Sequence, residues 1–147
     1  MQALYAYELG GGDAPHVIDT LIKPSLVKDD TGLKFSTSLF LRVIDRTDEL
    51  DTIIKEYVAN WEISRIALVD RLLLRMAICE MLTFEDIPPK VSINEVIEVA
   101  KRYSTANSGK FINGILDAVL LRFQNDGRLK KSGRGLIGMD TIRDRAQ

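Results

Sequence analysis

Pro88-Pro89-Lys90-Val91-Ser92-Ile93-Asn94-Glu95-Val96-Ile97-Glu98-Val99-Ala100-Lys101 is followed, after a short polar gap, by Ser108-Gly109-Lys110-Phe111-Ile112-Asn113-Gly114-Ile115-Leu116-Asp117. Proline has no N–H to donate and restricts the residue before it, so Ile87-Pro88-Pro89 ends any helix arriving from upstream. Ser92 with Glu95 three residues later is the pattern of a capping box, and Val91 with Val96 has the spacing of a hydrophobic staple. This predicts a helix opening at Ser92. A second is predicted to open near Asn107-Ser108, to bury Phe111, Ile112, Ile115, Leu116, Val119 and Phe123, and to end around Gly127.

Upstream, apolar residues recur at three and four positions almost everywhere, with no sustained alternation of period two. From Ile66 to Leu82 the only charges are Asp70, Arg71, Arg75 and Glu80. A helix apolar nearly all round belongs at the centre of a domain, and Ser64 is its expected N-cap. A first short helix occupies 1–9 and stops at Gly10-Gly11-Gly12. A second runs over about 14–27, with Pro24 set to bend or end it. A third carries Phe35, Leu39, Phe40, Val43 and Ile44. A fourth, capped at Thr47-Asp48, carries Leu50, Ile53, Ile54, Tyr57 and Val58. Seven helices on short connections make an all-α bundle, one domain over 1–127.

The 147 residues suffice for one core without disulfides or metals. Apolar runs are broken well short of the ~20 residues a membrane span needs, and no basic-then-apolar leader opens the chain, so a cytoplasmic location is expected. The lone Cys79 lies in an apolar helix pattern and reads as a small buried hydrophobe. Residues 128–147 hold six basic residues against two acidic ones, a net of +4; 14 basic and 19 acidic residues, a net of −5, remain in 1–127. Glycine, serine and charge over 128–147 read as a disordered basic tail. Such a tail fits a nucleic-acid partner and fits a solvated terminus equally.

Enzyme motifs are absent: no phosphate loop, nucleophile elbow or zinc spacing occurs, and His16 has no candidate ligand near it in sequence. No catalytic residue, metal or cofactor is expected. Glu95 is explained by the capping box and Glu98 by pairing with Lys101 or Arg102. Asn94 is read as satisfying backbone groups of the preceding turn, and Gly114 as admitting a neighbouring helix. Lys110 is more open. A cation in the first turn opposes the helix dipole, a penalty that a phosphate would reverse; a lysine snorkelling into solvent is the other reading. Tyr5 and Tyr7 stand two apart and cannot share a helical face, so one packs inward and the other is free to stack on a base. Asp70 either pairs with a cation or accepts hydrogen bonds from a base edge.

Together these stretches resemble the NusB family. Gln2-Ala3-Leu4-Tyr5 is similar to its first helix, Asp70-Arg71-Leu72-Leu73-Leu74-Arg75-Met76-Ala77 to its central helix, and the opening signature to its last two. The likeness covers 1–9 and roughly 35–127. It implies two three-helix subdomains and a non-enzymatic factor that binds boxA-type single-stranded RNA of ribosomal RNA leaders. Its implied partners are NusE, a small-subunit ribosomal protein, and the antitermination complex of RNA polymerase. The RNA contacts it implies are Tyr5, Asp70, Asn107 and Lys110. The alternatives are the RNA-binding module of a ribosomal RNA methyltransferase and a helical scaffold that binds only protein. The family's arginine-rich start has no counterpart before Gln2, and the first basic residue is Lys23. A start upstream of Met1, or reliance on the partner for RNA affinity, is therefore expected.

Overall fold

The computed structural model describes residues 1–58 and 65–139, and these residues are helical with no strand among them. Helix α1 is Gln2–Leu9; α2 is Ala14–Val17, prolonged by a π-helical turn, Ile18–Ile22, and a short α-turn, Lys23–Ser25. Then follow α3 (Asp30–Asp45), α4 (Thr47–Lys55), α5 (Leu68–Thr83), α6 (Pro89–Tyr103) and α7 (Ala106–Asp126). The expected Ser64 cap lies outside the described residues.

The apolar segment forms α5 and packs against α1, α3, α4, α6 and α7. Helices α1, α2 with its prolongation, and α3 pack on one another as one three-helix group, and α5, α6 and α7 pack on one another as the other. Leu72, Leu73, Leu74, Ala77, Ile78, Cys79 and Met81 are all buried. Burying each large side chain contributes roughly 1.5–3 kcal/mol. Cys79 is the small buried hydrophobe expected, its thiol pushed up by burial.

Three of the charges on α5 are buried with the leucines: Asp70, Arg75 and Glu80. Each ties α5 to another element. Arg75 makes a two-pronged bond to Asp51 on α4, Nε–Oδ1 2.7 Å and Nη2–Oδ2 2.8 Å, and its Nη1 lies 3.8 Å from Glu8 on α1. Glu80 accepts from the Ser92 hydroxyl of α6 at 3.2 Å. Asp70 holds the α6–α7 turn, as described below.

Several helix boundaries differ from the sequence expectation. Pro88 caps α6 and Pro89 is its first residue, a position where the missing N–H costs nothing and the fixed φ favours the helix. Ser92 therefore lies inside the helix, and the capping box and the Val91–Val96 staple do not form. Asn94 and Glu95 are exposed on α6, and Asn94 bonds no backbone group among the described residues. Helix α4 starts at Thr47, whose hydroxyl donates back to the carbonyls of Val43 and Ile44 instead of capping forward. Pro24 does not end α2 at once. The π-turn ahead of it, with Lys23 N–H bonded to Ile18 O, shifts the hydrogen-bond register before the proline, and the helix ends at Ser25. Gly114 faces open space, and no helix among the described residues approaches it.

Residues 128–139 also differ from the disordered tail expected. Helix α7 stops at Gly127, left-handed at φ 67°, and the chain then folds back over the end of α5. Lys131 Nζ donates to the carbonyls of Phe84 (2.7 Å) and Glu80 (3.4 Å), and Ser132 N–H donates to Glu85 O. Arg42 donates to Thr83 O at 2.7 Å and lies over the Phe84 ring. Two cations thus meet carbonyls at the C-terminus of α5, where the helix dipole favours positive charge. Gly135, in the 3-10 turn Gly133–Leu136, is pressed on Glu85 so closely that a Cβ would overlap its carbonyl oxygen. Composition hid this contact, because one lysine and one glycine there have specific partners.

Glu80 and Lys131 make this corner sensitive to pH. Burial, reinforced by the charge of Glu95, pushes the Glu80 carboxyl up from 4.5 to about 7, against the Ser92 bond and Lys131. Burial pushes Lys131 down from 10.5 to about 8, against Glu80, Asp86 and Glu85. Folded Glu80 holds its proton more tightly than unfolded, so stability falls as pH rises from 4.5 to about 7. Folded Lys131 releases its proton more readily, so stability returns between about 8 and 10.5. Glu80→Gln keeps an acceptor for Ser92 without the ionisation. It is expected to add roughly 1–3 kcal/mol at about pH 8 and to flatten the acid-side loss in urea unfolding. Parallel pH profiles for both proteins would contradict this.

Candidate nucleic-acid interface

Helix α6 ends where Ser104 turns extended (φ −141°, ψ −167°), and Thr105 caps α7 by accepting from Ser108 N–H at 3.3 Å. The cap places the start of α7 at Ala106, ahead of the Asn107-Ser108 expected. Asn107 is consequently in the first turn and Lys110 in the second, past the unbonded N–H groups. The dipole penalty that singled out Lys110 is correspondingly weaker, since it fades within a turn. What remains is exposure. Asn107 and Lys110 are both exposed, as is Arg102 at the end of α6, and neither cation makes an ion pair among the described residues. Glu98 pairs instead with Lys101, at 2.9 Å and in full solvent.

Asp70 is placed differently from either sequence reading. It is 6% exposed. Its Oδ1 accepts from Ser104 at 3.0 Å and its Oδ2 from Ser108 at 2.9 Å. The two hydroxyl oxygens lie 2.7 Å apart, and Thr105 Oγ1 stands 3.2 Å from Ser108. No cation forms an ion pair with it among the described residues, and both its oxygens are occupied by protein. Both carboxylate oxygens therefore accept from protein hydroxyls rather than standing free at the surface.

On α1 the two tyrosines divide as their spacing requires. Tyr7 packs edge-on against Phe40, centroids 5.9 Å apart, and Tyr5 is 40% exposed. Gln2 donates to the Tyr103 hydroxyl at 3.2 Å, joining the first turn of α1 to the last turn of α6. Tyr5 lies one turn along α1 from Gln2, the residue that reaches the end of α6. Sequence reasoning did not pair Ser104 and Ser108 with Asp70, nor Gln2 with Tyr103. The two serines carried a signal in their i, i+4 spacing astride a threonine cap; the Gln2–Tyr103 pair, 101 residues apart, carried none.

The model of the NusB family matches residues 1–121 of this chain. Over 146 residues the chain is 51% identical to the transcription antitermination protein NusB of Salinibacter ruber, covering 99% of this chain and 91% of that protein. The corresponding protein of Geobacter sulfurreducens is 39% identical over 127 residues, 86% of this chain and 92% of its own length. Among solved structures, T. maritima NusB superposes with a TM-score of 0.74 at 34% identity, over 80% of this chain and 82% of that one. The antitermination factors NusB and NusE in complex with dsRNA give a TM-score of 0.72 at 23% identity, over 80% of this chain and 86% of that one, which establishes the shared fold.

Proposed function

The chain belongs to the NusB family, and on that premise we propose that it is a non-enzymatic, cytoplasmic RNA-binding factor of transcription antitermination. It binds boxA-type single-stranded RNA of ribosomal RNA leader transcripts together with NusE, and the pair supports read-through by RNA polymerase. No helix among the described residues is long and apolar enough to cross a membrane, which fits that location.

The observation that carries the RNA-binding part is the exposed polar surface at the α6–α7 turn. Lys110 and Arg102 supply cations that no acidic group among the described residues pairs, Asn107 offers an amide for base edges, and Tyr5 offers a ring for stacking. The chain carries a formal net charge of −1, so binding depends on this local arrangement rather than on bulk attraction.

Lys110→Ala tests it. If Lys110 holds a phosphate, the variant weakens binding to all RNA sequences alike and lowers the slope of log affinity against log salt by about 0.7. An unchanged slope would remove Lys110 from the interface.

A further inference from the structure

We infer that Asp70 serves RNA binding without touching RNA, as a positioning residue that fixes the α6–α7 turn and hence the placement of Asn107 and Lys110. This rests on the RNA-binding reading above. Ser104 closes α6 and Ser108 stands in the first turn of α7, so one carboxylate grips both ends of the connection. Lys110 follows two residues beyond the second grip. Asp70 itself lies in the first turn of α5, where the helix dipole favours a negative charge. That and two hydroxyl bonds offset the desolvation of a carboxylate that no cation pairs among the described residues. An apolar residue at this position would avoid the desolvation but leave both serines without their acceptor.

The geometry also says which substitution preserves the grip. Asp70, Ser104 and Ser108 form a ring of three oxygen–oxygen contacts at 3.0, 2.7 and 2.9 Å. With Asp70 ionised, the two serine hydroxyls bring two protons to those three contacts. Asparagine brings the third: its amide N–H donates to Ser104, Ser104 to Ser108, and Ser108 to the amide oxygen. Asp70→Asn therefore keeps the clamp and removes the charge, whereas Asp70→Ala removes the clamp.

The test is fluorescence anisotropy of a labelled boxA-like RNA against the full chain over a range of salt. Asp70→Ala and Lys110→Ala are each expected to lower the slope by about 0.7, and the double variant by about 0.7 rather than about 1.4, because both act through one phosphate contact. Asp70→Asn is expected to bind within about twofold of the parent with its full slope, since each lost phosphate contact would show as ~0.7. Should Asp70→Ala fail to fold by circular dichroism, Ser104→Ala with Ser108→Ala removes the same grip and is expected to give the same lowered slope. Slopes that add in the double variant, an unchanged slope in Asp70→Ala, or no rescue by Asp70→Asn would overturn the positioning role alone. A parent protein that shows no salt-dependent RNA binding would overturn the functional reading and this inference with it.

Discussion

Arg75→Ala is expected to destabilise the fold by about 3–5 kcal/mol, the range for breaking a buried ion pair from one side. The arginine side chain is only 5% exposed and Asp51 is 19% exposed, so the carboxylate left behind on α4 has little water to turn to. The two-pronged geometry, with Glu8 of α1 as a further partner, fixes α1, α4 and α5 at one point. Replacing both partners is a different matter. Arg75→Met combined with Asp51→Leu leaves only Glu8 without its partner, and that side chain is 37% exposed, so the pair is expected to recover most of the loss, because buried pairs contribute little net stability beyond a well-packed apolar substitute. Urea unfolding of the two single variants and the double checks this. A single variant costing under about 1 kcal/mol would contradict the reading, as would a double variant as unstable as the singles summed.

Leu73→Ala is expected to cost about 2–5 kcal/mol, the transfer term plus the cavity it leaves. Leu73 is fully enclosed on α5, between the two helix groups, where neighbours on every side limit collapse. Met76 presents an instructive contrast. It reads as equally central in the sequence, yet it is only partly buried and lines an open cavity of about 940 Å³ between α1, α2, α3 and α6. Met76→Ala is therefore expected to cost under about 2 kcal/mol, since the lost methylenes were already next to open space. Equal losses for the two variants would contradict the placement of that cavity.

The central helix was legible because seventeen residues with so few charges leave a solvent-facing stripe no room. Reading the charges within it was harder. Asp70, Arg75 and Glu80 look like interruptions of an apolar run, and their partners Ser104, Asp51 and Ser92 lie 34, 24 and 12 residues away. Periodicity reports which face is apolar and says nothing of such distant pairings. Helix starts misled for a local reason. Ser92-Glu95 and Asn107-Ser108 both have capping chemistry, but Pro89 and Thr105 offer a start earlier in the chain, and the helix takes it. Of the candidate site, the exposure of Tyr5, Asn107 and Lys110 agrees with the residue pattern. The burial of Asp70 does not, because it depends on bonds to Ser104 and Ser108, 34 and 38 residues away, that pattern does not report.

The account stands most directly on one titration: a labelled boxA-like single-stranded RNA against this protein, with and without NusE, across a range of salt. It predicts saturable binding that weakens as salt rises, with a linear dependence of log affinity on log salt, and that tightens when NusE is present. Absence of salt-sensitive binding even with NusE added would contradict it, and would make the molecule a helical scaffold for proteins alone.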